Sequence, residues 1–232
     1  MHIGLKEFKQ IFLKTIPIMV GYIVLSIGFG IYAKNAGISL IYVILMSVFV
    51  YAGSMQYVLV NLISSGVSLL TTALTTFMVN ARHFFYGISM IDKYDGKDIR
   101  NPYLMFSLTD ETYSLVCSSH IEGIEDKTYY FYVSFFNQIY WIIGSILGSI
   151  LGSVLTISTD GIEFSMTALF ITVFMEQWLS QKNHIPALTG LVSSILCLFV
   201  FGRDNFLIPT MILITVSLLV QRKQNEKRMN HE

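Results

Sequence analysis

The chain has 232 residues, 53% of them hydrophobic and only 13% charged, against about 25% charged in an ordinary soluble domain. That much polar surface cannot cover a water-exposed globule, so the composition predicts an all-α integral membrane protein, one polytopic domain over 1–232 lodged in a lipid bilayer. A formal net charge of zero, with no basic surface interleaved with aromatic residues, gives no nucleic-acid partner. Cys117 and Cys197 both lie inside apolar runs, where neither a disulfide framework nor zinc spacing can be read, and no metal or cofactor is expected.

The N-terminal lysines precede an apolar run over 11–33. It is longer than a signal-peptide core and has no convincing small-residue cleavage site after it, so it reads as a first membrane helix. Pro17 sits near its beginning, and Gly21, Gly28 and Gly30 would let another backbone approach. The second run, 39–65, is long enough to span. Its centre carries Gly53, Ser54 and Gln56, a pattern that invites a kink or local unwinding whose freed backbone groups must face protein or a water-lined cavity. A tight helix crossing with Gln56 bonded across an interface is the alternative.

The third run, 67–91, puts Thr76, Asn80 and His83 on one helical stripe, with Arg82 to the side. A lone histidine in a helix is more often a packing residue than a proton carrier, whereas the permanently charged guanidinium of Arg82 needs an acceptor. The polar turn 92–101 makes the third and fourth runs antiparallel neighbours. The fourth run starts at Pro102, ends near His120 and carries Thr109, Asp110 and Glu111 about halfway along it. Ionisable groups at membrane depth cost roughly 2.5 to 3.5 kcal/mol each on insertion scales. One carboxylate is therefore expected to pair with Arg82, while the other faces a cavity or takes up a proton. A helix-locking ion pair with no role in transport is the alternative.

After the charged loop 121–127, Tyr129, Tyr130 and Tyr132 read as an interfacial belt. The fifth run reaches residue 155 and contains GSILGSILGS (144–153), a small-xxx-small ridge suited to close helix contact. Asn137 and Gln138 in the same run suit interhelical hydrogen bonds. The sixth run, 164–179, ends in Glu176, Gln177 and a Trp178 anchor. The last two, 187–201 and 205–220, are joined by a tight turn at Gly202, and a polar tail occupies 221–232. Eight runs place both ends on one side, and Lys6, Lys9, Lys14, Arg222, Lys223, Lys227 and Arg228 make that side cytoplasmic. Lys93, Lys97 and Arg100 oppose the scheme, because eight crossings put their turn outside. If the fourth run were re-entrant, the count would be seven.

Four stretches in order, GSMQY (53–57), VNARHFFYG (79–87), FSLTDETYSL (106–115) and DGIEFSMTALF (160–170), resemble the AzlC family of branched-chain amino acid permeases, and the resemblance covers nearly the whole chain. It implies the large subunit of a two-component exporter of valine, leucine, isoleucine and sometimes methionine in the cell membrane, working with a small AzlD-type membrane subunit. Self-association into a homo-oligomer is left open. The family motif positions fall here on Gly53, Ser54, Gln56, Asn80, Arg82, His83, Thr109, Asp110 and Glu111. Tyr51 stands where the family often has Phe.

The residues agree with that class. A zwitterion with an apolar side chain needs an acceptor for its ammonium, for which Asp110 or Glu111 would serve. Its carboxylate needs donors, for which unwound N–H groups near Gly53 and Arg82 would serve, and its side chain needs a greasy pocket. On this reading Gly53, Ser54, Gln56, Asn80 and Thr109 bind substrate, while Arg82, His83, Asp110 and Glu111 form a charge network coupled to protons. A small-solute channel or an uptake permease would draw on similar residues. An intramembrane hydrolase is disfavoured, because the histidines are scattered and neither HExxH spacing nor a serine nucleophile motif is present.

Overall fold

The computed structural model describes residues 4–80, 82–94, 96–118, 121, 123–154, 183–206, 209–210 and 212–220, with isolated positions between 164 and 179. Among them every regular element is helical. The contacts divide the chain into two compact units, Met1–Thr167 and Ala168–Glu232. The first holds α1 (Leu5–Asn35), α2 (Leu40–Leu45) continued by a π-helical turn (Met46–Val50), α3 (Gly53–Ser64), α4 (Leu69–Asn80), α5 (Arg82–Met90), α6 (Asn101–Phe106), α7 (Asp110–Ser118) and α8 (Asp126–Val154). The second holds α9 (Ile185–Asn205), which breaks at the positive φ of Gly202, and helical residues over 212–220. The stretches Leu5–Asn35, Asp126–Val154 and Ile185–Gly202 are each long and apolar enough to cross a bilayer unaided.

Helices α1 and α8 form the scaffold of the first unit. A Cβ on Gly144 would meet Ser26 and the Ile23 carbonyl, one on Gly148 the Ile27 backbone at 2.1 Å, and one on Gly152 the Ile31 and Lys34 atoms at 3.1 and 3.2 Å. Gly30 answers from α1, where a Cβ would lie 2.3 Å from the Ser145 carbonyl oxygen. The register rises together on both helices, so they run parallel at near-backbone contact, as the glycine ridge predicts. Helix α1 begins earlier than the apolar run suggests, which places Pro17 inside it rather than near its start.

The second and fourth runs, expected to span as single helices, are each broken at the middle into two short limbs. In the second, α2 and the π turn run inward to Tyr51 and Ala52, where Tyr51 takes a left-handed φ of 39°, and α3 then turns back alongside α1. Tyr57 donates from its hydroxyl to the Leu25 carbonyl at 2.8 Å and stacks on Tyr32, whose hydroxyl donates to Asn61. Position rises with position, so α3 is parallel to α1 and ends where α1 ends. In the fourth, α6 runs in, residues 107–109 turn, and α7 returns. Tyr86 stacks on Tyr113 with centroids 4.6 Å apart, and Lys93 donates to the Val116 carbonyl at 3.0 Å. Helix α7 is thus parallel to α5, not antiparallel to the third run. Arg100 before α6 then bonds Glu125 before α8 at 3.0 Å, so both limbs of the hairpin open at one end.

The first unit is therefore a long helix (α1) followed by a hairpin (α2–α3), then an opposed pair of shorter helices (α4–α5) followed by an opposed hairpin (α6–α7), and then α8. This is an inverted repeat, offset as Tyr57 is from Tyr113. The returning limbs echo one another in Tyr57-x-Leu59-Val60 and Tyr113-x-Leu115-Val116, and both tyrosines stack on the crossing helix before them.

At the end where α1 and α8 begin, Arg100 holds the two loops together. It bonds Asp98, Glu125 and Thr128, while Asn101 donates to the Tyr94 and Gly96 carbonyls. Tyr129 and Tyr130 are buried here, not set in a lipid-facing belt, because the first turn of α8 is covered by α1 and the 92–101 turn. Lys14 lies 5.9 Å from the Tyr129 ring centre and Lys93 6.0 Å from that of Tyr130. Cys197 is buried as expected, while Cys117 is exposed, its thiol 3.6 Å from the Met90 sulfur.

Gly148→Ala should cost about 1–3 kcal/mol or more by overpacking, read as a lowered thermal midpoint in detergent. Gly21→Ala, whose Cβ would meet nothing within 4 Å, should leave the midpoint unchanged. Hydrogen bonds from Arg100 hold the Asp98 carboxyl down from 3.8 to about 2. A depressed carboxyl stabilises the fold above its ordinary range, and that contribution fades as pH falls from 3.8 to about 2. Asp98→Asn should flatten the pH dependence of the midpoint in that window.

Candidate functional site at the hairpin tips

The two tips meet halfway along α1 and α8. The first is made by the π turn, whose wider winding frees carbonyls, and by the left-handed Tyr51. One freed group, the Val48 carbonyl, accepts from Gln138 Nε2 of α8 at 3.2 Å. The same amide accepts from the Tyr103 hydroxyl of α6 at 2.7 Å, so a single α8 side chain ties both hairpins together. The second tip is a helix start. Thr109 Oγ1 accepts from the Thr112 N–H at 3.3 Å, and Asp110 and Glu111 fill the first turn of α7, where the positive end of the helix favours them.

Tyr22 of α1 sits at the meeting point. Its hydroxyl donates to Glu111 Oε2 at 2.7 Å and lies 2.6 Å from Thr109 Oγ1. Thr109 Oγ1 is 3.0 Å from Thr112 Oγ1, which accepts from Asn137 Nδ2 of α8 at 2.9 Å. Tyr51 is within electrostatic reach of Glu111 and neighbours Tyr22, Thr109 and Tyr103, and its ring tilts against Phe106. Thr109 and Glu111 are thus brought together, with Tyr22, Tyr51 and Thr112 as members the sequence reading missed. Asn137 and Gln138 make the interhelical bonds expected of them.

Gly53, Ser54 and Gln56 form the first turn of α3. Gly53 lies under the Trp141 indole, so that a Cβ there would come within 2.8 Å of the ring, and Tyr22 meets the same indole edge-on. Gln56 is fully buried. Its Nε2 reaches back across the break to Ser47 Oγ at 3.4 Å, and its carbonyl oxygen finds no partner among the described residues. The α3 start has no side-chain cap and no acidic residue in its first turn, unlike that of α7.

Asn80 and His83 line a cavity of about 710 Å³ that runs beside α5, with Leu108 of the second tip in its wall. His83 Nδ1 is 3.1 Å from the Asn80 carbonyl oxygen, and its ring meets Tyr86 edge-on. Arg82 opens α5, but its side chain, and with it the expected pairing to Asp110 or Glu111, lies outside the described residues. So do Glu176, Gln177, His120 and the basic tail.

Two opposed helical hairpins with polar tips buried against a crossing pair define an integral membrane protein built on discontinuous helices. Residues 17–155 match the family model described as AzlC protein. The chain is 42% identical, over 95% of its length and 87% of the other, to the branched-chain amino acid transport protein AzlC of Bacillus subtilis (strain 168). It is 40% identical over 97% of its length, and the whole of the other, to an uncharacterized membrane protein of Helicobacter pylori (strain ATCC 700392 / 26695). It is 24% identical over 86% of its length and 82% of the other to the inner membrane protein YgaZ of Escherichia coli (strain K12). No solved structure matches. The chain belongs to the AzlC family.

Gln138→Leu should leave the Tyr103 hydroxyl and the Val48 carbonyl without their partner, at about 1–3 kcal/mol for a buried orphan. A thermal midpoint in detergent well below that of wild type is the expected reading.

Proposed function

We propose that the chain is a carrier that exports branched-chain amino acids across the cell membrane, coupled to protons and working with a small AzlD-type membrane subunit. The observation that carries this reading is the inverted pair of hairpins meeting at mid-depth. Inverted repeats with discontinuous helices suit alternating access around a central site. The printed name of the Bacillus subtilis relative supports the substrate class, and carriage rather than catalysis is the activity proposed.

Both half-helix starts, α3 and α7, aim their positive ends at the same place. The α7 end is answered by its own Asp110 and Glu111, whereas the α3 end has no acidic residue of its own. A substrate carboxylate fits the α3 end, at the N–H groups of Gly53 and Ser54, and the ammonium fits the Gln56 carbonyl and the Glu111 side. Glu111 is the proposed proton carrier, with Tyr22 as its hydrogen-bond partner and Arg82, His83 and Asp110 in the surrounding charge network. Asn80 and Thr109 complete the proposed substrate contacts.

Orientation follows from the hairpins. With the second and fourth runs re-entrant, the chain makes six crossings, counting the sixth, seventh and eighth runs, in one polytopic domain. Lys6, Lys9, Lys14, Lys93, Lys97, Arg100 and Lys127 then share the end where α1 begins, while Lys34 stands at the other. That asymmetry supports a cytoplasmic side for both termini, and on this reading the basic 92–101 turn no longer opposes the scheme.

In proteoliposomes the wild-type protein should show saturable leucine counterflow, which a channel would not. Glu111→Gln should lose leucine movement driven by a pH gradient and keep counterflow. Undiminished pH-driven movement would remove Glu111 from the coupling.

A further inference from the structure

The cavity beside α5 runs from the second tip to the loop end of the molecule. Asn80 and Leu108 stand at one end of its lining and Tyr94, in the turn after α5, at the other. Its floor is buried, with Met90 at 0%, Tyr94 at 4% and Leu108 at 5% exposure. The wall is almost wholly apolar, and a volume of about 710 Å³ lies within the ordinary range of small-molecule sites, roughly 300–1,000 Å³. Two of the lining residues, Tyr94 and Asn80, carry buried oxygens that find no hydrogen-bond partner among the described residues, and such groups at membrane depth are expected to meet water or a ligand.

We propose that this cavity is the route by which an amino acid with an apolar side chain passes between the loop end and the hairpin tips, its side chain sliding on the α5 wall and its polar groups handed between Tyr94 and Asn80. It rests on the transport reading above, and it takes the loop end as the cytoplasmic side, where an exporter collects its substrate.

Gly87 gives the test, because it lines the cavity and a Cβ there would meet nothing within 4 Å. Bulk at this position fills the route without straining the fold. Gly87→Phe should lower leucine transport about tenfold and Gly87→Ala only slightly, since loss follows the space removed. Gly21→Phe, also in open space but on α1, should transport normally. Normal leucine transport by Gly87→Phe at wild-type abundance and thermal midpoint would overturn the proposal.

A second reading needs no transport and no bulky variant. With Cys117→Ser and Cys197→Ser as background, Gly87→Cys should react with a charged, membrane-impermeant thiol reagent in inside-out vesicles and not in right-side-out ones. Added leucine should slow the reaction. A thiol that stays unreactive from both sides would make the cavity a lipid-filled groove and sink the route. If the wild type moves no branched-chain amino acid while labelling proceeds from the cytoplasmic side, the route stands and the proposed substrate falls.

Discussion

Backbone amides inside a bilayer must find partners within the protein, since each one left bare costs several kcal/mol. A helix that stops halfway violates that demand, and this chain stops twice. The structure depends on how the violation is met. Helix α8 supplies Gln138 to the Val48 carbonyl and Asn137 to Thr112, α1 supplies Tyr22 to Glu111 and Thr109, and Trp141 covers the Gly53 start. These side chains reach the tips only because glycines let α1 and α8 approach almost to backbone contact. The small-residue ridge and the polar crossing are therefore one design: the tight pair brings its polar faces close enough to hold two interrupted helices.

Both hairpins are anchored to the same pair but from opposite ends. The Arg100 cluster fastens the α6–α7 limbs at the end where α1 and α8 begin, and the Tyr32–Asn61 and Tyr57–Leu25 bonds fasten α3 toward the other. Each hairpin is thus held at its own end, while Gln138 ties the two tips to one another. The α5 cavity lies beside only one of them.

Much of this was legible in the chain. Composition marked the bilayer, Gly53-Ser54-Gln56 marked a break within two residues of where the second run turns, and GSILGSILGS marked the closest helix contact. The re-entrance was harder to read, because an apolar run of some 20 residues satisfies the length of a crossing whether it goes through or goes in and returns. Two local signals did point to it. Thr109 followed by Asp110 and Glu111 is a helix start, a capping hydroxyl with acids in the first turn, not a helix middle. The basic cluster Lys93, Lys97 and Arg100 was a topological objection that eight crossings left standing. The Tyr57 and Tyr113 echo was visible too, but a short match between two apolar stretches carries meaning only once both are seen to return along the helix before them.

The two hairpin starts are equivalent in position and opposite in chemistry, and that difference bears on function. The second repeat answers its helix end with Asp110 and Glu111. The first has Gly53 and Ser54, small residues that bring no charge. A perfectly symmetric pair would either repel an anion at both tips or attract one at both. By filling one end with its own carboxylates and leaving the other without any, the chain sets two unlike poles a short distance apart, and the proposed zwitterion site rests on that difference. Tyr51 lies beside that junction within reach of Glu111.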